Sequence, residues 1–192
     1  MFFEALILGI VIGFIRGGKI SRLAYVNFSA RPIIYVSAFL YLCITIMNLG
    51  LYDYSSFLYA GFLFVSFILT LVFLVLNISM KFMYLPLVGL CSNLLVFTLN
   101  GFKFPLASES AAKVYGPETY DLLKSGKILF FTAAENARLS FLGNVIPVGN
   151  LFILSIGDII AAIGITLVVQ AIISDKFIQN RNRITFSKNI FR

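Results

Sequence analysis

Three long runs without any charged residue constrain this chain more than any other feature. Residues 32–52, 54–80 and 82–102 contain no Asp, Glu, Lys or Arg. A helix of about 20 apolar residues crosses a hydrocarbon layer roughly 30 Å thick. A fourth run, residues 150–174, is as long and carries one acidic residue, Asp158. The pattern therefore predicts several membrane-spanning helices.

A shorter apolar run, residues 2–15, begins the chain and contains Glu4. At 1.5 Å per residue a helix of this length reaches about 21 Å, enough to span if the bilayer thins locally. Counting it gives about five spans. We expect an all-α, polytopic membrane helix bundle forming one integral membrane domain over residues 1–174, followed by a basic tail at 175–192.

The composition excludes several kinds of chemistry. Of 192 residues, 60% are hydrophobic, 12% are charged and none is histidine. Catalysis by a Ser-His-Asp or Cys-His arrangement, a haem imidazole ligand and a histidine-based zinc site are thereby ruled out. The two cysteines, Cys43 and Cys91, cannot by themselves complete a thiolate metal site and lie inside apolar runs. We expect no metal and no cofactor, and the sequence favours a role other than catalysis.

The basic residues predict how the chain is oriented. Ten of the 15 Lys and Arg residues fall on one predicted side of the membrane. They are Arg16, Lys19, Arg22, Arg31, Lys81, Lys176, Arg181, Arg183, Lys188 and Arg192. Because basic segments stay in the cytoplasm, we expect an N-terminus outside and a cytoplasmic C-terminus in the inner membrane of a bacterium. Such segments beside a bilayer are expected to contact anionic headgroups rather than nucleic acid.

The outer loop, residues 101–149, is too long and too apolar for a passive connection. We expect one short helix with its N-cap at Ser108 and another with Pro117 at its first position, ending at residues 125–126. The apolar segments 128–134 and 139–148 follow. We expect them to lie at the membrane surface or to fold over Asp158 as a lid.

Small residues recur four positions apart at two places in the chain. The first run carries Ala5, Gly9, Gly13 and Gly17, and the last span carries Gly157 and Ala161. On a helix this spacing places small residues in one stripe, which another helix can approach closely. These residues are predicted to pack helices together, within the chain or in a dimer.

A few polar side chains in the spans are candidates for a functional site. Asn93 and Asn100 lie seven residues apart, on nearly the same helix face, and Ser155 lies one turn before Asp158. Because an acidic residue in a span is costly, Asp158 is a candidate binding group. The alternative is a structural role, in which Asp158 caps a helix or pairs with Lys103 or Asn100.

Three short strings resemble a known family. They are Gly-Gly-Lys-Ile-Ser-Arg-Leu at 17–23, Asn-Gly-Phe-Lys-Phe-Pro-Leu at 100–106 and Leu-Ser-Ile-Gly-Asp-Ile at 154–159. In this order and spacing they resemble domain of unknown function 5317, a family of small bacterial membrane proteins, over nearly the whole chain. The resemblance implies a polytopic membrane protein of a clostridium-like bacterium, without an established activity. Family members tend to carry Asp where this chain has Asn144, which joins the candidate residues.

A second, weaker resemblance would imply chemistry. Leu-Gly-Asn at 142–144, followed by the helix that contains Asp158, is similar to the last part of lipoprotein signal peptidases. Those enzymes use two aspartates near the outer membrane surface. Two carboxylates are required because one acts as base while the other holds the proton. Here Glu109 or Glu135 would have to supply the second group, so an aspartyl-type hydrolase is one alternative function.

Three functions therefore remain open from the sequence. The favoured one is non-enzymatic binding of a lipid, a small ligand or a membrane-protein partner under the outer loop, in a homo-oligomer or with another protein. The second is a transporter or ion carrier that uses Asp158, and the third is the hydrolase. The residues expected to bind are Asp158, Ser155, Asn100, Asn93, Lys103 and Asn144.

Overall fold

The computed structural model of the protein describes residues 2–47, 55–125, 128 and 130–175. The end of the second predicted span, at 48–52, and the basic tail from residue 176 lie outside the described residues. The chain is mostly helical. Its α-helices are α1 Phe2–Ile15, α2 Arg31–Met47, α3 Ser56–Leu76, α4 Tyr84–Leu99, α5 Ser108–Tyr115, α6 Pro117–Lys124 and α7 Ile156–Ser174.

The apolar helices α1–α4 and α7 form a bundle in which α7 is central. Helix α7 packs against α1 on one side and α4 on the other, and α2 packs against α3. Among the described helices, α3 and α7 are long and apolar enough to cross a membrane, whereas α1, α2 and α4 are shorter. The prediction of helices in these segments is confirmed at this level.

The last predicted span begins later than expected. Residues 150–154 belong to a β-hairpin, and α7 starts only at Ile156. Asp158 is consequently the third residue of a helix and lies in its first turn. The continuous apolar run hides this boundary because strand and helix residues there are equally hydrophobic.

The segment between α4 and α7 folds into a small unit, here called the cap (residues 104–125 and 130–154). Strand β1, Phe104–Leu106, pairs in parallel with β2, Phe131–Ala133, and β3, Ile146–Val148, pairs antiparallel with β4, Phe152–Leu154. The prediction of two short helices in the loop is confirmed by α5 and α6. The expectation of an all-α fold missed the strands, each of which is only three residues long.

The cap has its own apolar core and is joined to the bundle by aromatic side chains. Residues that share the cap core are Leu106, Ala111, Leu123, Ala133 and Ile153. At the junction, the ring of Phe104 lies 4.9 Å from that of Phe97 on α4, which is fully buried. Tyr59 on α3 similarly contacts Phe130, with ring centroids 4.1 Å apart. These contacts position the cap over one end of α3, α4 and α7.

At the end of the bundle opposite the cap, the segment that follows α1 packs against the last turn of α7. Arg22, in a short 3₁₀ helix at Ile20–Tyr25, is 8% exposed, and its Nη1 donates to the carbonyl of Ile173 at 2.6 Å. The backbone N–H of Lys19 donates to the same carbonyl at 3.1 Å. The last carbonyls of a helix have no partner within the helix and carry a partial negative charge. Arg22 therefore stabilises the end of α7 by both hydrogen bonding and charge.

Candidate functional site

Asp158 and Ser155 form a reciprocal capping box at the start of α7. The backbone N–H of Asp158 donates to the Ser155 hydroxyl oxygen at 2.8 Å, and the backbone N–H of Ser155 donates to Oδ2 of Asp158 at 3.2 Å. Such a box satisfies backbone N–H groups that the helix itself leaves unpaired, and a carboxylate is also favourable beside the positive end of the helix dipole.

Asn93 on α4 joins this box from the neighbouring helix. Its Nδ2 donates to Oδ1 of Asp158 at 2.8 Å, and its Oδ1 accepts from the Ser155 hydroxyl at 2.8 Å. Asn93 and Ser155 are buried, whereas Asp158 is partly exposed. We call these three residues the Asn93–Ser155–Asp158 cluster. The structure thus brings together three of the six predicted binding residues.

Small residues allow α4 to approach α7 closely enough for these hydrogen bonds. A Cβ added to Gly157 would overlap Oδ1 of Asn93 and lie 2.7 Å from the carbonyl oxygen of Gly89. A Cβ added to Gly89 would lie 2.7 Å from the backbone nitrogen of Ala161. Gly157 and Ala161 therefore lie at a close contact between α7 and α4.

The stripe on α1 packs within the chain, against α7. Ala5 is buried and its carbonyl accepts from the Thr166 hydroxyl at 3.1 Å. Added Cβ atoms would lie 2.8 Å from the Thr166 carbonyl oxygen at Gly9 and 3.0 Å from Ile173 Cγ2 at Gly13. Gly17 departs from the prediction, because it follows the end of α1 with φ +74° and open space around it. It serves the left-handed turn that ends the helix rather than helix packing.

The other three predicted binding residues make no described hydrogen bond to the Asn93–Ser155–Asp158 cluster. Asn100 ends α4 and binds the backbone of Arg138, donating to its carbonyl at 2.9 Å and accepting from its N–H at 2.8 Å. Asn144 contributes its backbone, which pairs with Pro105 and Ala107 beside β1. Lys103 lies half-buried in the turn before β1. Asn100 and Asn144 therefore stabilise the cap. The side chain that hydrogen-bonds to Asp158 is Asn93, whereas the structural alternative had named Asn100 or Lys103.

Glu135, one possible second carboxylate of a hydrolase, serves the start of α5. Its Oε2 accepts from the Ser108 hydroxyl at 2.9 Å. The predicted N-cap at Ser108 was wrong, because Ala107 holds that position and has no side-chain cap. Desolvation raises the pKa of Glu135. This effect is outweighed by hydrogen bonds from its own backbone and from the hydroxyl and backbone of Ser108, and by the charge of Lys124. The pKa of Glu135 therefore lies below its ordinary value.

The carboxylate of Asp158 stabilises the start of α7 and its contact with α4 by accepting hydrogen bonds. Its partners in the described residues are a neutral amide and a backbone N–H, whereas Glu135 is bonded to Ser108. The described residues contain no group of three His, Cys, Asp or Glu side chains placed to hold a metal ion. The sequence signal for the capping box is Ser-x-x-Asp at 155–158, and the geometry corresponds to the structural alternative in which Asp158 caps a helix.

Sequence reasoning missed a second polar region, at the other end of α7. A cavity of about 1040 Å³ is lined there by Arg16 at the end of α1, by residues 79–82 between α3 and α4, and by one face of α7. Gln170 and Ser174 on α7 line it. A polar glutamine within a long apolar run was the available signal.

The fold and the Asn93–Ser155–Asp158 cluster define a class of protein: a bundle of apolar helices around a central helix, closed at one end by a small mixed α/β cap. The sequence model of a protein family, described as Family of unknown function (DUF5317), matches residues 25–170, and the chain belongs to this family. The resemblance seen in the sequence is thereby confirmed, although the string at 17–23 lies just before the matched residues. No curated protein and no solved structure matches the chain.

Proposed function

We propose that this protein is an integral protein of the bacterial inner membrane that binds a lipid, a small ligand or a membrane-protein partner beneath the cap without transforming it. The observation that carries the proposal is the hydrogen bonding of the Asp158 carboxylate. Its Oδ1 accepts from Asn93 on α4, which links α4 to α7, and its Oδ2 accepts from the backbone N–H of Ser155, which caps α7 itself. A general base or a cation carrier would have to give up these hydrogen bonds in each cycle, because its carboxylate must bind and release a proton or a cation.

The surface of the bundle supports membrane insertion. Large apolar side chains are exposed along all five apolar helices, among them Phe3, Phe39, Phe57, Val88 and Ile163, with Phe57 81% exposed. Soluble monomers seldom expose continuous apolar patches of more than a few hundred Å². We propose five spans, with the N-terminus and the cap outside and the basic segments in the cytoplasm. In this arrangement lipid chains cover the exposed apolar side chains.

The region beneath the cap retains capacity for a ligand. An ionised carboxylate offers about four acceptor sites, and the hydrogen bonds described for Asp158 use two of them. Asp158 is partly exposed, and Tyr41 on α2 lies within electrostatic range of it. A ligand with a hydroxyl or ammonium donor fits this position, since the donor can bind Asp158 while the cluster stays intact.

Native mass spectrometry tests the binding proposal. The wild type, extracted gently from its host membrane, is expected to carry a lipid, small-molecule or protein mass that Asp158→Asn loses or retains weakly. Asp121→Asn is the matched control, since it makes the same change at an exposed position of α6. A bare wild-type chain would contradict the proposal. Solute flux in liposomes that Asp158→Asn abolishes would support the transporter instead.

Cysteine labelling tests the orientation. In a background of Cys43→Ala and Cys91→Ala, Glu118→Cys places a thiol on the cap and Lys81→Cys places one on the opposite end; both native side chains are exposed. A membrane-impermeant maleimide applied to intact cells is expected to label position 118 and to label position 81 only after lysis. The reverse pattern would refute the proposed orientation.

A further inference from the structure

We propose that the cavity at the C-terminal end of α7 binds the headgroup of an anionic phospholipid, with its phosphate between Arg16 and Lys81. This inference rests on the membrane insertion proposed above, but it concerns a site at the opposite end of the bundle from Asp158. The cavity, of about 1040 Å³, opens between the end of α1, the turn at residues 79–82 and the α7 face from Leu167 to Asp175. Its volume is at the upper end of the range for small-ligand sites.

Two polar groups in the cavity have no partner in the described part of the chain. Gln170 is 8% exposed, and its amide makes no hydrogen bond to a described residue. The hydroxyl oxygen of Ser174, one turn further along α7, is buried and also has none. Buried polar groups in native proteins are almost always hydrogen-bonded. Two unpaired groups on one face, lining one cavity, therefore indicate a ligand that offers hydrogen-bonding atoms.

The charges that line the cavity favour an anion. Arg16 and Lys81 are basic, and Asp175 is the acidic residue of the lining. A guanidinium group binds two phosphate oxygens at once, and an ammonium group adds a second positive charge. The excess of positive charge, together with the hydroxyls of Ser79 and Ser174, matches a phosphate ester.

The remaining walls of the cavity favour a lipid over free phosphate. Met80, Phe82, Leu167 and Ile172 contribute apolar surface beside the basic groups. A free phosphate ion gains nothing from such walls, whereas the acyl chains of a phospholipid bury apolar area against them. In the proposed orientation the cavity also faces the cytoplasmic leaflet, where basic segments bind anionic headgroups.

The first test is a lipid titration followed by native mass spectrometry of the full chain in detergent. Phosphatidylglycerol is expected to bind more tightly than phosphatidylcholine. The double variant Arg16→Gln, Lys81→Gln should weaken phosphatidylglycerol binding on the order of tenfold or more, because it removes two basic groups. The control Lys113→Gln, Arg138→Gln removes the same charge from exposed positions of the cap and should bind as the wild type does.

Inorganic phosphate serves as the probe that separates the two sources of the anion. At equal concentration it should raise the melting temperature far less than phosphatidylglycerol does. Equal stabilisation by both would overturn the lipid assignment in favour of a free phosphate site. Equal affinity of the double variant and the control for phosphatidylglycerol would overturn the site itself.

Gln170→Leu provides a test that does not depend on charge. Replacing an unpaired buried amide with an apolar side chain of similar size should leave the melting temperature without lipid unchanged or higher. It should nonetheless reduce the stabilisation produced by phosphatidylglycerol. Undiminished stabilisation would contradict the proposal. The co-purified mass that Asp158→Asn loses and the phosphatidylglycerol stabilisation that Arg16→Gln, Lys81→Gln loses are separate readouts, so failure of this site and failure of the site beneath the cap are distinguishable.

Discussion

Asn93 on α4 and Asp158 on α7 are bound to each other through a hydrogen bond of 2.8 Å from amide Nδ2 to carboxylate Oδ1. The same amide accepts from Ser155 with its oxygen, so one side chain of α4 contacts both members of the α7 capping box. The contact lies where the β3–β4 hairpin of the cap passes into α7. A change at Asn93 is therefore expected to affect the helix interface, the start of α7 and the seating of the cap together.

Asn93→Ala is expected to lower the free energy of unfolding by about 1–3 kcal/mol, since it leaves the Ser155 hydroxyl without an acceptor for its hydrogen and Oδ1 of Asp158 without a donor. Asp158→Asn should cost less, because the amide oxygen can still accept one of the two hydrogen bonds. Asn136→Ala, at an exposed position of the cap, is the control. Thermal unfolding in detergent, followed by circular dichroism, measures all three. An Asn93→Ala variant as stable as the control would show that the cluster contributes little.

Gly157→Ala is expected to destabilise the bundle by about 1–3 kcal/mol, the usual cost of overpacking a core. The added methyl would overlap the Asn93 side chain and force α4 and α7 apart. Gly61→Ala is the matched control, because its Cβ on α3 would meet open space. Helix propensity favours alanine there by about 1 kcal/mol. The two variants should therefore shift the melting temperature in opposite directions, and equal shifts would contradict the packing described.

Glu135→Gln is expected to remove a pH-dependent part of the stability of the cap. The folded-state pKa of Glu135 lies below its ordinary value of 4.5. Its contribution is therefore present above the unfolded-state pKa and is lost as the pH falls through the folded-state pKa. At pH 7 the variant should be less stable by about 0.5 kcal/mol, the order of an exposed helix cap.

The measurement for Glu135 is the difference in melting temperature between the variant and the wild type as a function of pH. The difference should shrink as the pH falls from about 4.5 through the lower folded-state pKa, at which the wild-type carboxylate becomes protonated. Glu118→Gln, which makes the same substitution at an exposed position at the start of α6, is the matched control. A constant difference for Glu135→Gln over the whole range would refute the assigned role.

Arg22→Met is expected to loosen the C-terminal turn of α7. The substitution keeps the apolar stem but removes the donor to the Ile173 carbonyl and a positive charge at the negative end of the helix. A loss of about 1–3 kcal/mol in stability is expected, since the hydrogen bond is buried and involves a charged donor. Lys19→Met is the control, because the described contact of Lys19 with Ile173 is made by its backbone. Faster hydrogen exchange at residues 170–174 in Arg22→Met alone would support the role.

The helical segments of the bundle were predictable because their signal is local. Long uncharged runs predict apolar helices whatever surrounds them, and Pro117 and Gly116 mark the boundary between α5 and α6 in the same local way. The stripe Ala5, Gly9 and Gly13 was likewise visible as a packing face. Which helix it packs against was not, because four-residue spacing specifies a surface and not its partner.

The candidate site depended on contacts between residues far apart in the chain. Asn93 and Asp158 are separated by 65 positions, and no local pattern pairs them. The strands of the cap were missed because three-residue segments such as Phe131–Ala133 carry too little periodicity to distinguish a strand from any apolar stretch. Their pairing with β1 satisfies backbone hydrogen bonds only once the cap has closed.

The amino-acid order alone was thus enough to determine the apolar helices, their small-residue faces and the family. The tertiary structure decided that Asp158 begins a helix rather than lying within one, that Asn93 is its partner and that Gln170 lines a cavity. The physical reason is the range of the interactions. Hydrophobic periodicity and helix propensity act between residues within a few positions, whereas hydrogen-bond partners and cavities are set by which helices pack side by side.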